Sequence, residues 1–410
     1  MQQRNKSILL FFILTFTISF GFFNSTSACE NNTYETNYVE WKFSNNQPYL
    51  YVKADDYYTL GYLEGQNLAF QTAWMKLMII LQAQEIGLSY DSAIYYSLGY
   101  LDHFPEEYLL EMNGFADAID VVLVPFMGVV YNITIDFVDV LAQNCFWDIY
   151  YGKIVPMMSG YPQQPLIVVG CTALGSRTSW GSTILGQTID ISLLMQPTAS
   201  WVYTKIQGKK VFSFRTGSML AMGGVNKYGV AISTNLLEVL NIGCMGKPIS
   251  VIYRSALENA KNVKQAKNII LDNDFTLGWN YIIRDKRNII AIETIPNSYS
   301  FERVKGGEYT FDANVYENSY FKASMIYPTK YTERYDRVYE LCQSYSEDGK
   351  LDMNDLFNIY SDPIIARRYK SLNPLEVGTA GSLFVDSKSR VYFCLGNPVD
   401  SGLGLISRFF

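Results

Sequence analysis

The sequence predicts a layered α+β fold, with a mostly helical segment in front of a body of strands, helices and strands again. Three observations carry this. Apolar residues recur at helical spacing over residues 57–81, 108–118 and 135–147. From Pro165 onward, short β-type runs end in turn signals, as at Ser179-Trp180-Gly181-Ser182 and Gly208-Lys209-Lys210. A helical block over 248–271, and helices over 330–345 and 354–360, then separate those strands from a last pair at 381–386 and 390–395. Such long returns suit helices covering two stacked sheets.

The chain opens Met1-Gln-Gln-Arg-Asn-Lys6, runs without charge from Ser7 to Phe23 and reaches Asn24-Ser-Thr-Ser-Ala28-Cys29. A basic start, an apolar centre and small residues describe a secretory signal peptide over residues 1–28. The apolar centre falls short of the ~20 residues that a spanning helix needs, so no stable membrane span is expected. A second apolar stretch, Val121 to Tyr131, is shorter still, lies among Asp117, Asp120 and Asp136, and reads as core. The expected location is outside the cell, or a lysosomal or endosomal lumen. There the sequons at Asn31 and Asn132 are expected glycosylation sites.

Charged residues make up 18% and hydrophobic ones 49%, enough for a large core, and the net charge of −6 leaves no basic footprint for nucleic acid. Of six cysteines (29, 145, 171, 244, 342 and 394) none stands in a C-x-x-C pair, and His103 is the single histidine. Neither a metal site nor a cofactor is expected. Residues 29–170 form the helical segment, ending in a loop over 152–165 that leads to the run Pro165-Leu-Ile-Val-Val-Gly170-Cys171-Thr172.

That run and the segment Gly186-Gln187-Thr188-Ile189-Asp190 read as two strands of a hairpin. With Trp180-Gly181 as a two-residue turn, paired positions sum to 361 and Cys171 faces Asp190, Cβ atoms ~5 Å apart. A carboxylate is a weak base and raises a neighbouring thiol's pKa, while histidine is nearly absent. One base needs no side chain. A cut between Gly170 and Cys171 creates an α-amino group of pKa near ~8 beside the thiol. Glycine before the bond suits the backbone strain of such a cut.

These residues resemble the acyl-coenzyme A:isopenicillin N acyltransferase family of N-terminal-nucleophile (Ntn) amide hydrolases and, more remotely, choloylglycine hydrolases and acid ceramidase. The resemblance spans roughly residues 55 to 400 and rests on Gly170-Cys171-Thr172 with Gly186-Gln187-x-x-Asp190. Gln187 places the chain nearer the acyltransferase branch. The resemblance implies the four-layer αββα sandwich, autocleavage before Cys171, a catalytic domain over 171–410 and a bound N-terminal fragment, 29–170. It makes Cys171 the nucleophile and Asp190 the holder of the freed ammonium. Asn235 and Asn314 become oxyanion donors, although Ala313-Asn314-Val315-Tyr316 lacks the histidine of the family's Thr-Asn-His-Phe run. The run Gly378 to Phe384, one residue longer than the family's form, and Leu395 to Pro398 resemble it too. Expected chemistry is hydrolysis or transfer at the amide of an N-acylated small molecule through a Cys171 thioester. A ceramidase-like lipid amidase and an inactive binding protein of the same fold are the alternatives.

Overall fold

The computed structural model describes residues 37–157, 169–302, 304, 308–346, 348–371 and 373–407. The expected signal peptide, Cys29, the Asn31 sequon and most of the expected 152–165 loop lie outside the described residues. Two sheets stack face to face. The larger runs β1 (Tyr38–Ser44), β2 (Gln47–Ala54), β7 (Ala199–Ile206), β8 (Lys209–Thr216), β9 (Gly224–Asn226), β10 (Ala231–Leu237), β11 (Gly278–Arg284), β12 (Ile289–Ile295) and β13 (Ser298–Glu302). The smaller runs β14 (Tyr309–Asp312), β5 (Val169–Arg177), β6 (Thr183–Ser192), β15 (Val377–Val385), β16 (Val391–Leu395) and β17 (Gly404–Ile406).

Helices close both outer faces, which makes the four layers αββα. Over the larger sheet lie α1 (Tyr57–Glu85), α2 (Tyr90–Leu98), α3 (Glu106–Asp117), α4 (Phe137–Ile149), α5 (Ile249–Asn259) and α6 (Val263–Leu271). Over the smaller lie α7 (Thr332–Tyr345) and α8 (Met353–Ile359), whose Val338, Cys342, Leu356 and Ile359 pack on Leu174, Ile184 and Phe384. Side-chain caps start several of these helices: Asp56 accepts the Thr59 N–H, and Asp136 with Asp139 and Asp352 with Asp355 form capping boxes. The expected block over 248–271 is two helices, because the chain leaves helical geometry at Ala260 and restarts on the Asn262 cap.

The segment before Gly170 is mostly helical, yet it also supplies β1 and β2. Strand β2 pairs in parallel with β7, so the front segment is part of the larger sheet. A buried ion network joins the same halves: Glu64 of α1 to Arg215 of β8 at 2.6 Å, and Glu111 of α3 to Arg254 of α5 at 3.0 Å. The stretch Val121 to Tyr131 is not core. It forms a hairpin, β3 (Val122–Phe126) and β4 (Val129–Ile133), whose Val124 packs inward while Leu123, Met127 and Val130 are more than half exposed. Strand alternation accounts for this, since one face of a two-stranded arm can rest on α1 while the other stays uncovered.

The β5–β6 register also differs from the expectation. Gly170 faces Asp190 and Cys171 faces Ile189, so paired positions sum to 360. The turn is the cause: the Thr178 N–H donates to the Ser182 carbonyl at 2.8 Å, leaving three residues, 179–181, at the tip with Gly181 at φ +75°. An odd tip with its last residue left-handed shifts the register by one and turns every side chain to the other face. Cys171 and Ala173 therefore face the larger sheet, whereas Asp190 faces α7 and α8.

Candidate active site

Strand β5 delivers Cys171 into the space between the sheets, 6% exposed. Three elements hold its backbone. Its N–H donates to Asn314 Oδ1 at 2.8 Å, and its carbonyl accepts from Asn235 Nδ2 at 2.9 Å and from Arg334 Nη1 at 3.1 Å. Asn235 lies inside β10, not at its end, and its Nδ2 also reaches the Asp312 carbonyl at 3.2 Å. Asn314 follows β14 in the left-handed region, φ 63°, a conformation that asparagine tolerates better than most residues. Its Nδ2 donates to the Leu236 carbonyl at 2.8 Å.

Asp190 is fully buried and doubly held. Arg334 Nη1 meets Oδ2 at 2.8 Å and the Thr379 hydroxyl donates to Oδ1 at 2.8 Å. Burial pushes the Asp190 carboxyl up, against the pull of Arg334 and Arg367. Thr379 owes its aim to a bulge in β15. The register with β6 slips between Thr379 and Gly381, which lets Thr379 stand opposite Asp190. Burial, then the Asp190 charge, pushes the Cys171 thiol up to about 12, while Arg334 and the Asp190 N–H pull the other way. At neutral pH such a thiol stays protonated. In the uncut chain it is a poor nucleophile.

The structure brings Cys171, Asp190, Asn235 and Asn314 into one neighbourhood with Gly170. Asn235 Nδ2 donates to two backbone carbonyls, one of them that of Cys171, while Asn314 meets the Cys171 N–H as an acceptor and its Nδ2 donates to one carbonyl. Gly170 is buried in ordinary strand geometry, not at positive φ. Space, not backbone freedom, selects glycine there: a Cβ would stand 2.7 Å from Arg334 Nη2. Gln187, opposite Ala173, donates to the Thr234 carbonyl at 2.7 Å and ties the two sheets together.

Sequence alone gives no sign of Arg334's role and none for Thr379 beyond its place in the family-like run Gly378 to Phe384. Arg334 does leave a trace of its burial, because it shares the buried stripe of α7 with Val338 and Cys342 at i+4 and i+8. A guanidinium in phase with apolar residues signals a buried partner. His103 lies on a 3₁₀ turn against the Tyr100 ring. Among the described residues no group of three His, Cys, Asp or Glu is arranged to hold a metal, and no helix is long and apolar enough to cross a membrane.

The sequence profile of the family described as acyl-coenzyme A:6-aminopenicillanic acid acyl-transferase matches residues 178–400, more than half of the chain. The chain belongs to that family. No curated protein matches it in sequence. Among solved structures it is similar to penicillin V acylase from Agrobacterium tumefaciens, at 13% identity and TM-score 0.37, covering 54% of this chain and 82% of that one. It is also similar to a variant of conjugated bile acid hydrolase from Clostridium perfringens, at 13% identity and TM-score 0.44, covering 58% and 92%. A second mutant of that hydrolase gives 12% identity and TM-score 0.38 over the same shares.

Proposed function

We propose that the protein is an autoprocessing amidohydrolase or acyltransferase, in which Cys171 becomes an N-terminal nucleophile and carries the acyl group of an N-acylated small molecule as a thioester. One observation carries this reading: the backbone nitrogen of Cys171, not only its sulfur, is specifically held, by Asn314 Oδ1 at 2.8 Å. Any buried N–H needs a partner, but here a side chain serves in place of the strand ladder, β14 having ended at Asp312. An α-amino group needs such a grip, since it must be oriented toward the thiol it deprotonates.

Hydrolysis of the Gly170–Cys171 bond would leave a Gly170 carboxylate and place the new Cys171 ammonium next to the position that faces Asp190. Asp190, kept in place by Arg334 and Thr379, then balances that charge. Asn235 and Arg334 fix the Cys171 carbonyl, and with it the rotation of the whole residue. Asn314 and Asn235 remain the proposed oxyanion donors, and Arg334 adds Nε and Nη2, which are buried without a partner.

The cut pieces, 29–170 and 171–410, would stay together, because β2 pairs with β7 and Glu64 and Glu111 lie buried against Arg215 and Arg254. Separating them would break the Glu64–Arg215 and Glu111–Arg254 pairs, with Arg254 keeping Glu258 at 2.5 Å. The signal sequence and sequons support secretion or delivery to a lysosomal or endosomal lumen, with glycans at Asn31 and Asn132. Asn132 is exposed on β4.

The test is a chromogenic N-acyl amide series, followed by mass mapping of the acyl-enzyme trapped with acid. The reading expects the acyl mass on the peptide that begins with Cys171, and none in Cys171→Ala. Turnover with the acyl group elsewhere would refute it.

A further inference from the structure

One edge of the Arg334 guanidinium is idle. Arg334 is 1% exposed in the first turn of α7, with Cζ 5.5 Å from the Tyr331 ring. Its hydrogen bonds run through Nη1, to Asp190 Oδ2 at 2.8 Å and to the Cys171 carbonyl at 3.1 Å. Nε and Nη2 are buried with no partner among the described residues. These two nitrogens form one side of the planar fork, the side that can meet both oxygens of a carboxylate at once. Buried charged donors left unpaired are costly, so the empty fork points to a tenant.

The neighbour it touches is Gly170. A Cβ on Gly170 would stand 2.7 Å from Nη2 and 3.2 Å from Nη1, inside ordinary contact. Gly170 and Asp190 are directly opposite on β5 and β6, so this position and the Asp190 carboxyl share the face that Arg334 covers.

Hydrolysis of the bond after Gly170 gives the hydroxyl of a water to the Gly170 carbonyl carbon and the hydrogen to the Cys171 nitrogen. The acid so formed, with an α-carboxyl pKa near ~3.5, loses its proton at neutral pH. Its carbon, like a Cβ, is one bond from Cα. Freed from Cys171, the carboxylate can swing about the N–Cα bond toward the place that a Cβ would fill, and glycine has no side chain to displace as it turns. There its oxygens come within the ~2.8 Å of charge-assisted bonds to Nε and Nη2.

The local charge suits a second carboxylate. Arg334 and Arg367 both act on the Asp190 carboxyl. Arg367 is linked to it through Thr379, whose Oγ1 accepts the Arg367 N–H at 2.9 Å and donates to Asp190 at 2.8 Å. Two guanidiniums around one carboxylate leave a positive charge to be matched.

We propose that the free fork of Arg334 is a carboxylate-binding site, and that its ligand is the Gly170 carboxylate released by the cut. This rests on the proposed cleavage and goes beyond it: the new end of the front fragment stays bound beside the nucleophile. Donors that steady the oxyanion during the cut hold the acid afterwards.

Two readouts on the purified, matured protein test this. In a crystal structure of the wild type, the Gly170 carboxylate oxygens should lie within about 3.2 Å of Arg334 Nε and Nη2. An end swung away, or a fork filled by water instead, overturns the inference. In solution, carboxypeptidase Y is added to the native protein and the front fragment is weighed by mass spectrometry, with a urea-unfolded sample setting the unrestrained rate. Loss of Gly170 should be at least 100-fold slower in the native protein, and Arg334→Lys, which keeps the charge and loses the fork, should quicken it at least tenfold. Equal rates in native and unfolded wild type, or undiminished protection in Arg334→Lys, overturn the inference; the structure and the wild-type rates require no variant to fold. A wild-type chain that stays whole has no Gly170 carboxylate and removes the cleavage reading together with this site. A cut chain with a loose Gly170 end overturns the site alone.

Discussion

The sharpest consequence of the site geometry concerns Gly170→Ala. A methyl group at this position would lie 2.7 Å from Arg334 Nη2, 3.2 Å from Nη1 and 3.4 Å from Cζ. Carbon and nitrogen normally approach to about 3.5 Å, so the guanidinium must retreat by roughly 0.8 Å. It is not free to do so, being tied to Asp190 Oδ2 at 2.8 Å and the Cys171 carbonyl at 3.1 Å while 1% exposed. Overpacking of this kind costs about 1–3 kcal/mol. If that cost falls on the transition state for cutting, the reaction slows about 5- to 150-fold. The assay follows the appearance of the two fragments on a reducing denaturing gel after synthesis is stopped. A second arm places Gly170→Ala in an Arg334→Lys background, where the shorter side chain removes the clash and the alanine should cost little. Cutting of Gly170→Ala at the normal rate, or the same slowing in both backgrounds, would refute the steric argument.

Thr379→Val should remove the hydroxyl that holds Asp190 Oδ1, cost about 1 kcal/mol of stability in a denaturant melt and slow processing by about tenfold or less; no change in either would count against Thr379 as a positioning residue. Asp148, buried on α4, has its carboxyl pushed up to about 7 by burial, with only the backbone N–H bonds opposing. A carboxyl raised in the folded state contributes fully below its unfolded value, so the Asp148 contribution should fall from about pH 4 to pH 7, on top of those of Glu111, Asp190 and Asp312, which are raised too. Asp148→Asn should make the slope shallower and gain up to ~4 kcal/mol at pH 8 relative to pH 4, read as the difference between wild-type and variant melts across pH; an identical slope in both would contradict it. In the hairpin arm, Leu123→Lys with Val130→Lys should leave the melting temperature within a degree or two and lower concentration-dependent association, measured by light scattering; a large loss of stability would mean that the exposed face is covered.

Much of the site was readable because its chemistry is local. Cys171 and Asp190 sit on two strands of one hairpin, and the absence of histidine partners left the α-amino group as base. The register was misread for an equally local reason: Ser179 and Gly181 both suit a turn, and nothing in the residues says whether the tip holds two or three. Arg334 lies 144 residues beyond Asp190, on a helix whose Thr-Glu-Arg-Tyr-Asp-Arg opening looks solvated until Arg334 is set in phase with Val338 and Cys342. The bulge that aims Thr379 depends on how β15 meets β6, a pairing that neither strand specifies alone. Val121 to Tyr131 reads as core on apolarity alone, whereas alternation along β3 separates the covered Val124 from the exposed Leu123. The layered architecture followed from element order, while the parallel joining of β2 to β7 required the fold itself.

The central claim is that the bond before Cys171 is cut to free the amine that activates its own thiol. N-terminal sequencing of the purified protein, alongside Cys171→Ala, tests this directly. The account predicts a larger fragment whose first residue is Cys171 in the wild type and a single uncut chain in the variant. An active protein in which Gly170 and Cys171 remain joined would contradict it.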